Sequence, residues 1–374
     1  MDLNDTTTKI QDVYDLSPFG FLSTHCHQLP KNYQFMKTAV NAINEKAGNN
    51  MRQAIMQLPS YNPKIHSLEM VSLDEIKSLY SVMCMIVSRY VWATGFDDAQ
   101  KYSVLPEIIG MPFVLSAQAL GIAPSLTYTA VDLYNWEFVN PTQPFGLDNI
   151  AACHLMTGTE DEQWFHKIMI AIEGICGSLL TNIYIAVTHE KNIREVLESI
   201  ESALNQSRQL VKRTYEGCNA EIFFHKIRIY LGGSENDHLP CGLLIEDHAD
   251  ITLKYKGGSA AQSSVIQVFD AFLGIQHEDP YILLIRDYMP KKHRAFIEHI
   301  ETHRNDQLFS NHQKEYIRCV DALKKFRQAH LGLVQHYILQ FIKTDATNNS
   351  HKDKGSGGTH PKVFCNQMIK ETRW

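Results

Sequence analysis

Polar and apolar positions repeat every three to four residues along most of this chain, the spacing of helices that bury one face. The pattern is clearest between Asp321 and Lys343, where Leu323, Phe326, Leu333, Val334, Tyr337 and Phe341 form a stripe. His330 falls inside that stripe, so an imidazole points toward the core, whereas His336 falls on the polar side. Ser310 and Gln313 fit a capping box, which predicts a helix over 311–343, about 50 Å at ~1.5 Å per residue. Arg327 precedes His330 by three residues and projects from the neighbouring turn of the same face.

Other helices follow the same reasoning. Ser72 and Glu75 make a capping box ahead of a stripe at Ile76, Leu79, Met83, Ile86 and Tyr90, predicting a helix over 72–94. Thr159 and Glu162 open another, with Phe165, Ile168, Met169, Ile172, Ile175 and Leu179 inward and a run on to Val187. Helices are also expected over 33–46, 105–120, 127–136 and, more polar, 192–215. The uncharged run 108–131 is long enough to span a bilayer. It contains Gly110, Pro112, Gln118, Gly121 and Pro124, and reads as two buried segments broken at 121–124. No apolar–polar alternation persists through several runs, so the expectation is an all-α protein. The Pro141–Pro144 stretch marks the best boundary, between a smaller N-terminal helical domain (1–145) and a larger one (146–374).

Three stretches do not read as plain bundle. In EIFFHKIRIYLGG, Arg228 sits among Phe223, Phe224, Ile227 and Leu231. A guanidinium in such surroundings seeks a carboxylate, whether an internal Asp or Glu or that of a ligand. Gly257-Gly258 precede Ser259, with Gln262 three residues on, a capping box in which a glycine turn feeds a helix. The lysine of a P-loop and the GxGxxG spacing are both missing, which disfavours a nucleotide. Residues 344–360 are almost free of apolar side chains and contain Gly355-Ser356-Gly357-Gly358-Thr359, a mobile glycine loop anchored on both sides in the manner of an active-site lid.

Composition narrows the functions. Charge is nearly balanced, 35 basic against 41 acidic residues for a net −6, with no basic block, so nucleic acid is not an expected partner. The polar N-terminus does not read as a secretory signal, and the expectation is a cytoplasmic protein with reduced thiols and no membrane segment. The eight cysteines form no CxxC pair, which removes zinc ribbons and c-type haem attachment. His25-Cys26-His27 lacks further ligands nearby in sequence, and His299 with His303 is not HExxH, because the intervening glutamate does not follow the first histidine. His330 keeps two readings at this point. It is either a core histidine bonded to a neighbour, or a neutral imidazole on a metal, with Arg327 beside it suiting a cofactor that carries carboxylates.

Taken together, the segments resemble the indoleamine 2,3-dioxygenase family of haem enzymes. The resemblance is carried, in family order, by 105–136, FFHKIRIYLGG (223–233), GGSAAQSSVIQVFDAFLGIQ (257–276), YMPKKHRAFI (288–297), FRQAHLGLVQHYI (326–338) and GSGGT (355–359). It implies an all-helical fold whose larger domain holds haem b, with O2 as co-substrate, a small indole substrate and an electron donor that keeps the iron ferrous. By that resemblance His330 is the proximal iron ligand and Arg327 lies near a haem propionate. Phe165 and Phe223 are distal-pocket aromatics, and Tyr128 lies in the indole pocket. Arg228 pairs with the substrate carboxylate. Ser259, with Gly258 and Ala260, faces the distal side, and Thr359 is near the substrate ammonium. No distal general base is evident, and the family's oxidation of indole C2–C3 is thought to need none.

The implied reaction inserts both atoms of O2 into L-tryptophan, giving N-formylkynurenine. One position departs from the pattern. Met169 stands four residues after Phe165, where family members commonly carry serine, and a thioether is a weak acceptor for an indole N–H. Two alternatives therefore stay open: a haem enzyme like those of pyrrolnitrin biosynthesis acting on another tryptophan derivative, and a haem-binding gas sensor with little catalysis.

Overall fold

The computed structural model describes residues 3–24, 28–43, 49–344 and 355–373, so His25-Cys26-His27 and residues 345–354 of the expected glycine loop lie outside the described residues. The fold is all-α, as the periodicity predicts. The helix Leu73–Trp92 has both halves of its capping box, with the Ser72 hydroxyl accepting from the Glu75 amide and the Glu75 carboxylate accepting from the Ser72 amide. It is buried on nearly every side and packs along Glu107–Leu120. The one lysine within it, Lys77, is neutralised by Asp15 at 2.6 Å and Asp74 at 3.1 Å, since a buried ammonium needs a carboxylate partner.

The uncharged run breaks where expected. Glu107–Leu120 ends at Gly121, which caps it in the left-handed region at φ +61. The following stretch is not the helix predicted over 127–136. It makes one wide π turn, Thr129–Leu133, and then a strand. Five short strands occur among the described residues: β1 (Val104–Leu105), β2 (Trp136–Phe138), β3 (Ile150–Ala152), β4 (Leu243–Ile245) and β5 (His248–Leu253). Of these, β1 runs parallel to β4, which pairs antiparallel with β5, while β2 and β3 form an antiparallel pair in which Trp136 faces Ala152. They are small additions to a helical core.

The helix opened by Thr159 stops at Gly177 rather than running on to Val187, and a second helix, Leu180–His189, follows. The cause is a close backbone approach. A Cβ on Gly177 would lie 2.4 Å from the Phe19 carbonyl oxygen, and one on Gly20 (φ +71) 2.4 Å from the Gly177 Cα. Together, 160–189 is long and apolar enough to cross a membrane by length and composition, but 61% of its most apolar window is buried within the protein. It is a core element. Its buried polar groups tie it down: His166 Nδ1 lies 2.7 Å from Asp132 on the π turn, and Glu162 accepts from the Met156 amide at 2.7 Å and the Thr157 amide at 2.6 Å. These bonds fix the face that carries Phe165 and Met169 relative to Tyr128.

The histidine-bearing helix spans Gln313–Val334, followed by a π turn (Gln335–Leu339) and Gln340–Thr344. Its predicted start at Ser310 is corrected. The Ser310 hydroxyl donates to the Gln307 carbonyl within a 3-10 segment, Asp306–His312, and no side chain caps the helix. The helix packs on Ile193–Gly217, which in turn packs on Glu160–Gly177. The C-terminal helix Pro361–Glu371 packs along it from the other direction.

Candidate functional site

A cavity of about 110 Å³ lies between Glu160–Gly177, the start of Ser264–Leu273, Gln313–Val334 and Pro361–Glu371. Its walls are largely apolar, with Ile172, Val211, Phe326, Leu333, Phe364 and Met368 among them. His330 faces it from the helix stripe. The residue is partly buried, and burial, with the Arg327 charge, pushes its pKa down to about 4. The imidazole is therefore neutral at physiological pH, the form that ligates a metal. Cys365 Sγ, on the C-terminal helix, lies 3.8 Å from its Nδ1.

Arg327 also lines the cavity. It is held by Asp270, whose two oxygens lie 2.8 and 2.6 Å from Nη2, and it donates from Nη1 to the Thr372 hydroxyl. Burial pushes the Asp270 carboxyl up, but Arg327 and His277 outweigh it and hold the group below the usual carboxylate range.

The structure brings Tyr128, Met169, Ala260, Arg327 and His330 together around this cavity. The other expected site residues do not line it. Phe165 precedes Met169 by one helical turn, and its ring packs on Phe223 at 4.8 Å. Arg228 follows on a 3-10 segment, its guanidinium 5.1 Å from the Phe224 ring, and burial pushes its pKa down to about 10. It stays charged at neutral pH. Gly258 and Ser259 stand immediately before Ala260. The capped helix expected from Ser259 is displaced: Ser259 caps only a 3-10 turn, Ala260–Gln262, and Ser263 caps Ser264–Leu273.

Three glycine segments converge there by backbone. Gly258 donates to the Leu231 carbonyl at 3.1 Å, and Gly257 donates to the Ser356 carbonyl at 3.0 Å. A Cβ on Gly233 would lie 2.3 Å from the Gly257 nitrogen, and one on Gly257 2.0 Å from the Leu231 oxygen, so neither position has room for a side chain. The tail segment closes on itself, Gly355 donating to the Thr359 carbonyl at 2.8 Å, and Ser356 donates to the Gly258 carbonyl. Thr359 is thus carried on a turn seated against the Gly257–Ser259 strap.

Sequence reasoning missed two acids in the cavity wall. Glu173 stands on the helix face of Phe165 and Met169, one turn beyond the latter, and is 2% exposed. Burial pushes its pKa up to about 7, against the Ser263 hydroxyl, which donates at 2.5 Å, and the Tyr128 hydroxyl, while Asp132 adds to the rise. Asp270 stands alone in the apolar run SVIQVFDAFL, and an acid on an apolar helix was the available signal. Gln262 was noticed as a cap partner only. It is fully buried and joins the strap to the indole-pocket position, accepting from the Tyr128 amide and donating to the Gly257 carbonyl, both at 2.8 Å. The His299–His303 pair is ordinary: the rings stack on each other, His299 also stacks on Tyr184, and no group of three metal-binding side chains occurs among the described residues.

A raised carboxyl pKa has a defined consequence. The native state keeps its proton between about 4.5 and 7 where the unfolded chain loses it, so stability falls as pH rises through that window, by about 3 kcal/mol at ~1.36 kcal/mol per unit. Glu173→Gln should flatten that fall, measured as urea midpoints across the window. A slope equal to that of the parent protein would place the proton elsewhere.

The geometry defines a class: a helical protein with a mostly apolar cavity lined, among the described residues, by a neutral histidine and by an anchored arginine one turn before it. The comparisons with known proteins agree with this. A family model described as indoleamine 2,3-dioxygenase matches residues 10–373. The chain is 31% identical over 313 residues to indoleamine 2,3-dioxygenase 1 of Mus musculus, covering 77% of this chain and 76% of that protein. It is 28% identical to indoleamine 2,3-dioxygenase 2 of Mus musculus (95% and 92% covered) and 27% identical to indoleamine 2,3-dioxygenase of Saccharomyces cerevisiae (96% and 94%). The chain belongs to the indoleamine 2,3-dioxygenase family. Members of that family are haem-dependent dioxygenases, and this chain is an oxidoreductase of that class.

Proposed function

We propose that the chain holds haem b in this cavity through His330, and that it inserts both atoms of O2 across the indole C2–C3 bond of L-tryptophan to give N-formylkynurenine. The observation that carries the reading is the neutral imidazole of His330 facing an apolar cavity beside Arg327. The donor set fits the group: one neutral nitrogen for iron and one cation for a propionate. Bound haem supplies a ferrous iron with an open coordination position for dioxygen chemistry.

The chain's own residues do the rest. Arg228 keeps its charge and offers a fork for the substrate carboxylate, which fixes orientation. Tyr128, Phe165, Met169 and Phe223 give the indole an apolar, aromatic enclosure that excludes water. Gly258, Ser259 and Ala260 form the strap on that side. Thr359 closes over it near the substrate ammonium, carried on a turn that is seated on the strap. Both oxygen atoms stay in the product as the C2–C3 bond breaks, so the reaction consumes no electrons overall. The electron donor serves only to bring the iron to the ferrous state.

Met169 favours a second reading. Its thioether faces the cavity where an acceptor for the indole N–H is expected, so a tryptophan derivative with a different recognition need is the alternative substrate, a reaction of the pyrrolnitrin type among them. Reduced, haem-loaded protein mixed with L-tryptophan in air separates the readings. Accumulation of N-formylkynurenine supports the first, and Met169→Ser should raise kcat/KM, since one recovered hydrogen bond is worth about a factor of ten. Binding of haem and O2 with no spectral response to any indole would instead leave a gas sensor.

A further inference from the structure

Asp270 has a second partner besides Arg327. His277 Nε2 lies 3.1 Å from Asp270 Oδ2, and its Nδ1 lies 2.8 Å from Glu371 Oε2. Ionised carboxylates only accept, so a ring with one at each nitrogen donates from both and is an imidazolium. Two cations and two anions then balance in the order Arg327, Asp270, His277, Glu371. All four side chains are about nine-tenths buried, at 10%, 9%, 8% and 7% exposure. Glu371 is further held by the Glu278 amide at 3.2 Å and the Gln367 amide nitrogen at 2.9 Å.

These groups join three separate pieces of chain. Asp270 is on Ser264–Leu273, Arg327 is on the His330 helix, and Glu371 ends Pro361–Glu371. That last helix supplies Phe364, Cys365 and Met368 to the cavity wall, and Thr372 just beyond it takes a hydrogen bond from Arg327. If the helix lifts, the wall opens and Arg327 loses a partner.

We propose that His277 is a positioning residue that clasps the C-terminal helix over the cofactor cavity, so that docking of Pro361–Glu371 and retention of the cofactor are one event. The inference rests on reading the cavity as a haem site. The clasp has a pH signature. Burial lowers the His277 pKa, but the hydrogen bonds and charges of Asp270 and Glu371 outweigh it, with Arg327 opposing, and the result is raised. Among the described residues, these are the charged groups that act on the ring. A raised histidine stabilises fully below its ordinary pKa and loses that contribution as pH rises through the folded value. The clasp therefore loosens toward alkaline pH.

The test is haem transfer from the loaded protein to excess apomyoglobin, followed from mildly acid to alkaline pH. The parent protein should release haem slowly at the acid end and faster as pH rises. His277→Ala and Glu371→Ala should release it roughly tenfold faster at the acid end, as loss of a charge-assisted bond implies, with little pH dependence. Should His277→Ala not fold, as judged by circular dichroism, His277→Gln donates to one carboxylate only and should give an intermediate rate. Amide exchange within 361–371 of the haem-free protein is the second readout and should quicken in the same variants. Parent-like haem loss and parent-like exchange in the variants would overturn the clasp. A parent protein that takes up no haem would overturn the haem reading instead, and the exchange experiment would still decide the clasp.

Discussion

His330→Ala should lose haem. The substitution removes the imidazole that lines the cavity and leaves the apolar walls in place. Loss of an outer-shell partner alone typically weakens a metal site about 10–100-fold, so removing the ligand itself should exceed roughly 100-fold in haem affinity and abolish turnover. Absorbance titration of the haem-free protein with haem measures this directly. Added free imidazole should restore part of the parent spectrum, because it can occupy the space the side chain leaves. A variant that binds haem with parent affinity and an unchanged spectrum would move the ligand to another residue.

The second large effect is expected at Asp270. Its two oxygens hold Arg327, and His277 sits at 3.1 Å, all of it buried. Asp270→Ala takes a carboxylate from two buried cations at once, leaving Arg327 the Thr372 hydroxyl and His277 the Glu371 carboxylate. Breaking a buried pair by removing one partner costs about 3–5 kcal/mol, a large share of the ~5–15 kcal/mol by which domains are stable. Urea unfolding of the haem-free variant should show that loss, and its haem affinity should fall as well, since Arg327 is no longer aimed. The pH dependence has a definite sign. The Asp270 carboxyl is held below its ordinary range, so its contribution is complete above that range and disappears as pH falls through the folded value. A destabilisation under about 1 kcal/mol would mean that Arg327 and His277 find other partners, since exposed pairs give about that much.

The helices were legible because their signals are local. The stripe at Ile76, Leu79 and Met83 with Ser72 and Glu75 ahead of it is sufficient to place Leu73–Trp92 within two residues. The break at Gly121 was legible for the same reason, a residue that accepts positive φ after an apolar run. Prediction failed where a distant segment decides the outcome. Residues 127–136 become a π turn and a strand because Trp136 pairs with Ala152. The helix from Thr159 stops at Gly177 because Gly20 packs on it. The caps at Ser310 and Ser259 fit the pattern, yet both hydroxyls serve tighter 3-10 turns.

The site divides along the same line. His330 and Arg327 were legible from helix spacing together with the family resemblance, and the structure puts both on one cavity. Glu173, Asp270 and His277 were not, since each takes its meaning from partners that sequence spacing does not reveal: Ser263 for the first, Arg327 for the second, Glu371 for the third. Arg228, Phe165, Phe223, Ser259 and Thr359 came from resemblance alone. None of them lines the cavity, so their roles toward a substrate belong to the proposal.

The central claim is that this cavity performs a dioxygenation, and isotopic oxygen tests it most directly. Reduced, haem-loaded protein is mixed with L-tryptophan under 18O2, and the product is weighed by mass spectrometry before it can exchange with water. The account predicts N-formylkynurenine carrying both labelled atoms of a single O2. A product with one labelled atom or none, or no indole product from protein that binds haem, would contradict it.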